Sequence, residues 1–177
     1  AVMGRPLEPV DLKIPFFNQE TDYWCWAAVS QMVIAHFKGI DATPPQREIA
    51  RMALGEHTED WRDGVPDEAY VGHTREFIRL TVKVLSRRAS DWYPPPSAEE
   101  LYASLYFGNP VIASMHVSPQ YGHVIVLAGI RPGERRGAFE VLVNDPAPRI
   151  PGPFWTAFDN IRPSMRSHMI VYRDVRL

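Results

Sequence analysis

Pro110 divides this 177-residue chain into two kinds of periodicity. Before it, apolar residues recur at helical spacing; after it, short runs of β-branched and aromatic residues follow one another with turn residues between them. Segment 23–37 has apolar residues at positions 28, 29, 32, 33 and 37 and a stop at Gly39, which predicts a helix capped by Thr21 or Asp22. Segment 46–54 follows Pro44 and Pro45 and ends at Gly55, and segments 74–85 and 97–107 complete the helical half. The last opens with the capping box Ser97-x-x-Glu100 and closes at Gly108-Asn109-Pro110. Runs 111–117, 123–130, 139–144 and 169–175 predict strands. Helices followed by consecutive strands imply an α+β fold in which a helical half (19–107) packs on an antiparallel sheet (110–177) within one domain, 1–177.

Composition removes several function classes. A net charge of −2 with 45% hydrophobic and 23% charged residues excludes a disordered tail and a strongly basic nucleic-acid binder. No apolar run approaches the roughly 20 residues that span a bilayer, so no membrane partner is expected. Residues 1–9 hold no apolar stretch of the kind found in signal peptides, and the first residue is not Met; trimming, excision from a larger polypeptide and a mature secreted protein all fit. GERRG at 133–137 lacks phosphate-loop spacing, and the six histidines include no HExxH, so neither a cofactor nor a metal is expected. The acidic stretch 56–72 departs from calcium-loop spacing and is expected to be a solvated surface loop.

One cysteine remains to be explained. Cys25 cannot form an internal disulfide, and it falls in the first turn of the 23–37 helix. A thiol is a nucleophile as thiolate, and helix N-termini favour that form through unpaired N–H groups and the dipole. The competing expectation is a small buried hydrophobe, the usual fate of a free cysteine. A base must reach the sulfur. His36, eleven residues along the same helix, would lie about 16 Å away at ~1.5 Å per residue. His123 instead opens the apolar run 124–128, where a rigid element would hold its ring. If 131–138 forms the turn and Ile130 pairs with Ala138, Asp145 falls opposite His123; a one-residue change of register brings Asn144 level instead. Gln19 adds an amide that could face a developing oxyanion beside the Cys25 N–H. Donor, nucleophile, base and orienter are the set needed for acyl transfer through a thioester.

The stretch QETDYWCWAAVS at 19–30 resembles the active-site segment of papain-like cysteine peptidases. Together with GHVIVLAG at 122–129 and VNDP at 143–146, it looks most like the compact bacterial branch, which includes type III effector peptidases and double-glycine leader peptidases. The resemblance implies a papain-like fold, Cys25 as nucleophile, His123 as base and later acid, Gln19 as oxyanion donor and Asp145 as orienter, with Asn144 in competition. It also implies a protein or peptide substrate, a secreted or delivered effector or toxin, and an inhibitor or immunity protein among its partners. Tyr23 and Trp24 replace the Gly-Ser or Gly-Ala of plant relatives; they either line the substrate cleft or pack beneath it. Trp26, Trp92, Trp155, His116 and His168 are expected to be structural. An amidase, deamidase or acyltransferase on the same site, or an inactive binding module, is the alternative reading.

Overall fold

A computed structural model describes residues 7–54, 78, 88–118 and 121–174. Its elements in order are β1 (Val10–Asp11), α1 (Cys25–Lys38), α2 (Gln46–Leu54), β2 (Arg88–Ala89), α3 (Ala98–Tyr106), β3 (Val111–Ser118), β4 (Tyr121–Pro132), β5 (Phe139–Asn144), β6 (Phe154–Ala157), α4 (Phe158–Ile161) and β7 (Met165–Tyr172). Single turns of 3-10 helix at Ile40–Ala42 and Arg162–Ser164 join them. The expected loop 56–72 lies outside the described residues, as does most of the expected helix 74–85, of which Ile78 is described, helical and fully buried.

The strands form one antiparallel sheet in the order β2-β7-β3-β4-β5-β6. β1 joins β4 just beyond the last β3 pair: Val111 of β3 faces Leu127, while Asp11 and Val10 of β1 face Gly129 and Ile130. The β4 residues Val124, Val126 and Ala128 pack with Trp26, Val29, Met32 and Val33 of α1. Ile125 and Leu127 pack with Leu101 and Leu105 of α3. β4 is therefore covered on both faces, which explains why 124–128 reads as an unbroken apolar run rather than an alternation. From Cys25 to Ala35 every residue of α1 is buried, so α1 is a central helix that loses water on all sides.

Local signals act where they were expected at three places. α2 spans 46–54, the Ser97–Glu100 capping box forms in full, and Gly39 ends α1 with φ 91°. The α1 start differs: Trp24 is the N-cap, no side chain caps the helix, and the expected caps at Thr21 and Asp22 do not form. Their carbonyls instead accept hydrogen bonds from the Gln19 amide. β7 starts at Met165, four residues before the expected run, and stops at Tyr172, three short of its expected end. Its early residues Arg166, Ser167 and His168 hide the apolar pattern, and pairing with β3 supplies the strand instead.

The expected β4–β5 register is corrected. Ile130 pairs with Val141, not Ala138, because the strands zip through Pro132–Phe139 and leave a tight loop at 133–138, closed by Gly133 N–H donating to Ala138 O at 2.8 Å. A bulge at Ala128 then moves the ladder by one residue, from Gly129–Leu142 to Leu127–Val143. The last pair is Val126–Asn144, so neither Asp145 nor Asn144 stands level with His123.

Candidate active site

Three elements converge on Cys25. As the first residue of α1, Cys25 has a backbone N–H with no intrahelical acceptor, and its side chain sits at the edge of the core with 9% exposure. His123 stands near the start of β4, paired with Met115 of β3. Asp145 is the first residue past β5, where the chain has left the ladder and turns: its Oδ1 accepts the Ala147 N–H at 3.0 Å. Leaving the ladder gives Asp145 the reach that the register withholds. The His123 Nε2–H donates to Asp145 Oδ1 at 2.6 Å, and the imidazole is also hydrogen-bonded to Cys25.

The electrostatics follow from this chain of contacts. Burial opposes charge on the imidazole, but the hydrogen bonds to Asp145 and Cys25, and the charges of both, outweigh it and push His123 up to about 10. Burial also opposes the Asp145 carboxylate, and the His123 hydrogen bond and charge, with the Ala147 N–H, hold it below its usual range. An imidazolium flanked by a carboxylate and a sulfur is the arrangement that keeps a thiolate paired with a proton donor.

Gln19 is buried in the loop before α1. Its Nε2 donates to Thr21 O at 2.9 Å and Asp22 O at 3.1 Å, and its backbone N–H donates to Pro146 O at 2.7 Å, next to Asp145. Asn144 goes elsewhere: fully buried, it donates from Nδ2 to Ile14 O at 3.1 Å and thereby holds the 12–18 strap to the sheet. Trp24 is 6% exposed and packs within the α1 cluster, while Tyr23 is 41% exposed. His36 stacks edge-on against Phe37 in the last turns of α1, and His168 is buried with Nδ1–H donating to Pro94 O. Trp155 lies under the Arg131 guanidinium, and His116 accepts from Arg166. Among the described residues no group of three His, Cys, Asp or Glu side chains could hold a metal ion, and no described helix is long and apolar enough to cross a membrane.

Two polar residues escaped the sequence reading. Gln46, 2% exposed at the start of α2, donates to Asn18 O at 2.7 Å and accepts from Glu20 N–H at 2.9 Å. Asn18 donates from Nδ2 to Ala147 O at 2.9 Å and Ile150 O at 3.0 Å. Both act across long stretches of chain, and no local pattern announces them.

Residues 11–166 match the family described as Peptidase_C39 like. The chain belongs to that family. Its papain-like fold is shared by solved C39-like structures. A C39-like peptidase from Bacillus anthracis is 17% identical with a TM-score of 0.63, over 95% of this chain and 99% of that one. A double glycine motif protease from an AMS/PCAT transporter, solved in complex with its leader peptide, is 17% identical with a TM-score of 0.56, over 93% and 96%. UfSP from C. elegans is 16% identical with a TM-score of 0.58 over 94% of this chain, which spans 34% of that structure. No curated protein matches the chain. The C39-like assignment and the helix-on-sheet architecture agree with the papain-like resemblance of segments 19–30, 122–129 and 143–146.

Proposed function

We propose that this C39-like chain is a cysteine peptidase whose nucleophile is Cys25. The observation that carries the reading is the placement of His123 between Cys25 and Asp145, hydrogen-bonded to both. The thiolate attacks the peptide carbonyl carbon, and the carbonyl oxygen takes the negative charge. The Cys25 N–H faces that charge at the positive end of α1; Gln19 adds a second donor by exchanging one of its carbonyl partners, Thr21 or Asp22, for the oxyanion. His123 gives its proton to the leaving amine as the C–N bond breaks, leaving a thioester on Cys25. Neutral His123 then takes a proton from water, whose oxygen attacks the thioester, and the thiolate and imidazolium return as the acid departs. Asp145 keeps the ring oriented throughout. The steps balance with these side chains and water alone, so no cofactor is invoked.

A peptide substrate fits the similar protease solved with its leader peptide, and Tyr23, exposed two residues before the nucleophile, is the side chain placed to meet it. A delivered effector or toxin, restrained by an inhibitor or immunity protein, is the setting implied by the resemblance of 19–30. The test incubates the purified chain and its Cys25→Ala and His123→Ala variants with a peptide library that includes double-glycine leader sequences, read by mass spectrometry. Cleavage by the parent chain and its loss in both folded variants is expected. Amide hydrolysis or acyl transfer without backbone cleavage would replace the peptidase reading, and a Cys25 that alkylates only at the pH of a free thiol would remove it.

A further inference from the structure

We propose that Asn18 is a positioning residue that aims Asp145 at His123, with Gln46 as its buried anchor. The proposal rests on the peptidase reading above and adds residues to its machinery. Asp145 lies past the final ladder pair, Val126–Asn144, so the sheet does not fix its side chain. Its loop is held in another way. Gln19 N–H donates to Pro146 O, and the Asn18 amide donates to Ala147 O and Ile150 O, so three successive donors from two adjacent residues meet three carbonyls of the 146–150 turn. Ala147 is the link. Its N–H caps Asp145 Oδ1, the oxygen that receives His123, and its carbonyl is held by Asn18. The capping N–H shares a peptide group with the Pro146 carbonyl that Gln19 holds, and the carbonyl that Asn18 holds lies in the next one. Asn18 and Gln19 thus fix residue 147 from both sides, and a shift of either peptide moves the carboxylate against the imidazole.

The donor strip needs a fixed base, because 18–20 belongs to no helix or strand. Gln46 provides it. At 2% exposure its amide uses both ends, donating to Asn18 O and accepting from Glu20 N–H, and so grips the two peptide groups that flank Gln19. A buried amide satisfied at both ends has one low-energy orientation, since turning it over sets oxygen against oxygen and nitrogen against N–H. Gln46 thus holds one strip that carries Gln19 on one side and orients the Asp145 turn on the other.

The substitutions follow from the donors. Asn18→Asp keeps size but sets a carboxylate against two carbonyl oxygens; Asn18→Ala removes the amide from an exposed position; Gln46→Glu keeps the acceptor and removes the donor. The readout is the NMR titration midpoint of the His123 ring, assigned by the signal missing in His123→Gln, measured on the full chain beside kcat and KM. In folded Asn18→Asp and Gln46→Glu kcat falls about tenfold or more while KM stays within about twofold; because an added carboxylate itself favours the imidazolium, the midpoint is read in Asn18→Ala, where it falls by about one pH unit or more. Asn18→Ala, which adds no charge, shows the same direction in kcat and serves where the carboxylate variants fail to fold. A residue that merely stabilises the loop would lower thermal stability and leave the midpoint of the folded molecule in place. A midpoint within ~0.2 units of the parent in folded Asn18→Ala overturns the proposal. The midpoint is read without substrate, so absence of peptide cleavage by the parent chain would overturn the peptidase reading and leave this one standing.

Discussion

Oδ1 of Asp145 lies 2.6 Å from Nε2 of His123 and accepts the Ala147 N–H with the same atom. The distance is short even for a charge-assisted N–H···O bond, a class about twice as strong as neutral ones. With side chains 19% and 22% exposed, the pair is shielded enough for that bond to govern the ring.

The alkaline limb of activity should report this bond. His123 is pushed up to about 10, so the imidazole stays protonated through neutral pH and kcat/KM is expected to fall only as pH approaches 10. Asp145→Ala removes the acceptor and the charge, and the limb should move toward the ordinary histidine value near 6.5; Asp145→Asn, which keeps an acceptor, should fall between. A limb that stays near 10 in Asp145→Ala would separate Asp145 from the chemistry.

Asn144→Ala should act on stability instead. Its amide reaches Ile14 O from a fully buried position, and truncation orphans that carbonyl, at about 1–3 kcal/mol. Urea unfolding should show the loss, while the folded fraction keeps the parent pH profile. An effect on kcat larger than that of Asp145→Ala would reverse the two roles.

His168 sets an acidic limit on stability. Burial holds its pKa below the usual value, outweighing the Pro94 carbonyl that favours the charged ring. Protons therefore bind more readily to the unfolded chain: the contribution is complete above about 6.5 and is lost as pH falls from there toward the lowered folded value. His123 has the opposite sign, with its contribution complete below about 6.5 and lost as pH rises through about 10. Urea midpoints should decline from pH 7 to pH 5 in the parent and decline less in His168→Gln; equal slopes would contradict the assignment.

Gly129→Ala tests the seam between β1 and β4. A Cβ there would sit 2.5 Å from Val10 O and 3.1 Å from the Leu142 Cβ, so β1 must move off the sheet. The expected cost is about 1–3 kcal/mol by urea unfolding. A change under ~0.5 kcal/mol would show that β1 shifts freely.

How much of this was legible depended on the range of the signal. α2, α3 with its Ser97–Glu100 box, and β5 rest on caps, periodicity and turn residues within a few positions, and they could be read directly. β1, β2 and β6, of two to four residues, exist because partners elsewhere in the chain pair with them, and they left no pattern. The meeting of His123 with Asp145 was anticipated from a register that the bulge at Ala128 and the tight 133–138 loop displace; the contact forms because Asp145 lies outside the ladder. Gln46 looked like an ordinary helix start, since its partners Asn18 and Glu20 lie more than twenty residues away.

The strap before α1 also sets the order in which the molecule can mature. Its bonds to Asn144, Ala147 and Ile150 join residues 130, 129 and 132 positions apart. Contacts of such separation close late, after local helices have formed. A nascent chain that has emerged through residue 110 holds Cys25 on its helix but lacks His123, Asp145 and the carbonyls of 146–150 that the strap grips. The site therefore cannot assemble before residue 150 has been made, and a hydrolase built this way is inert toward its neighbours on the ribosome until its sheet has joined the helix that carries Cys25.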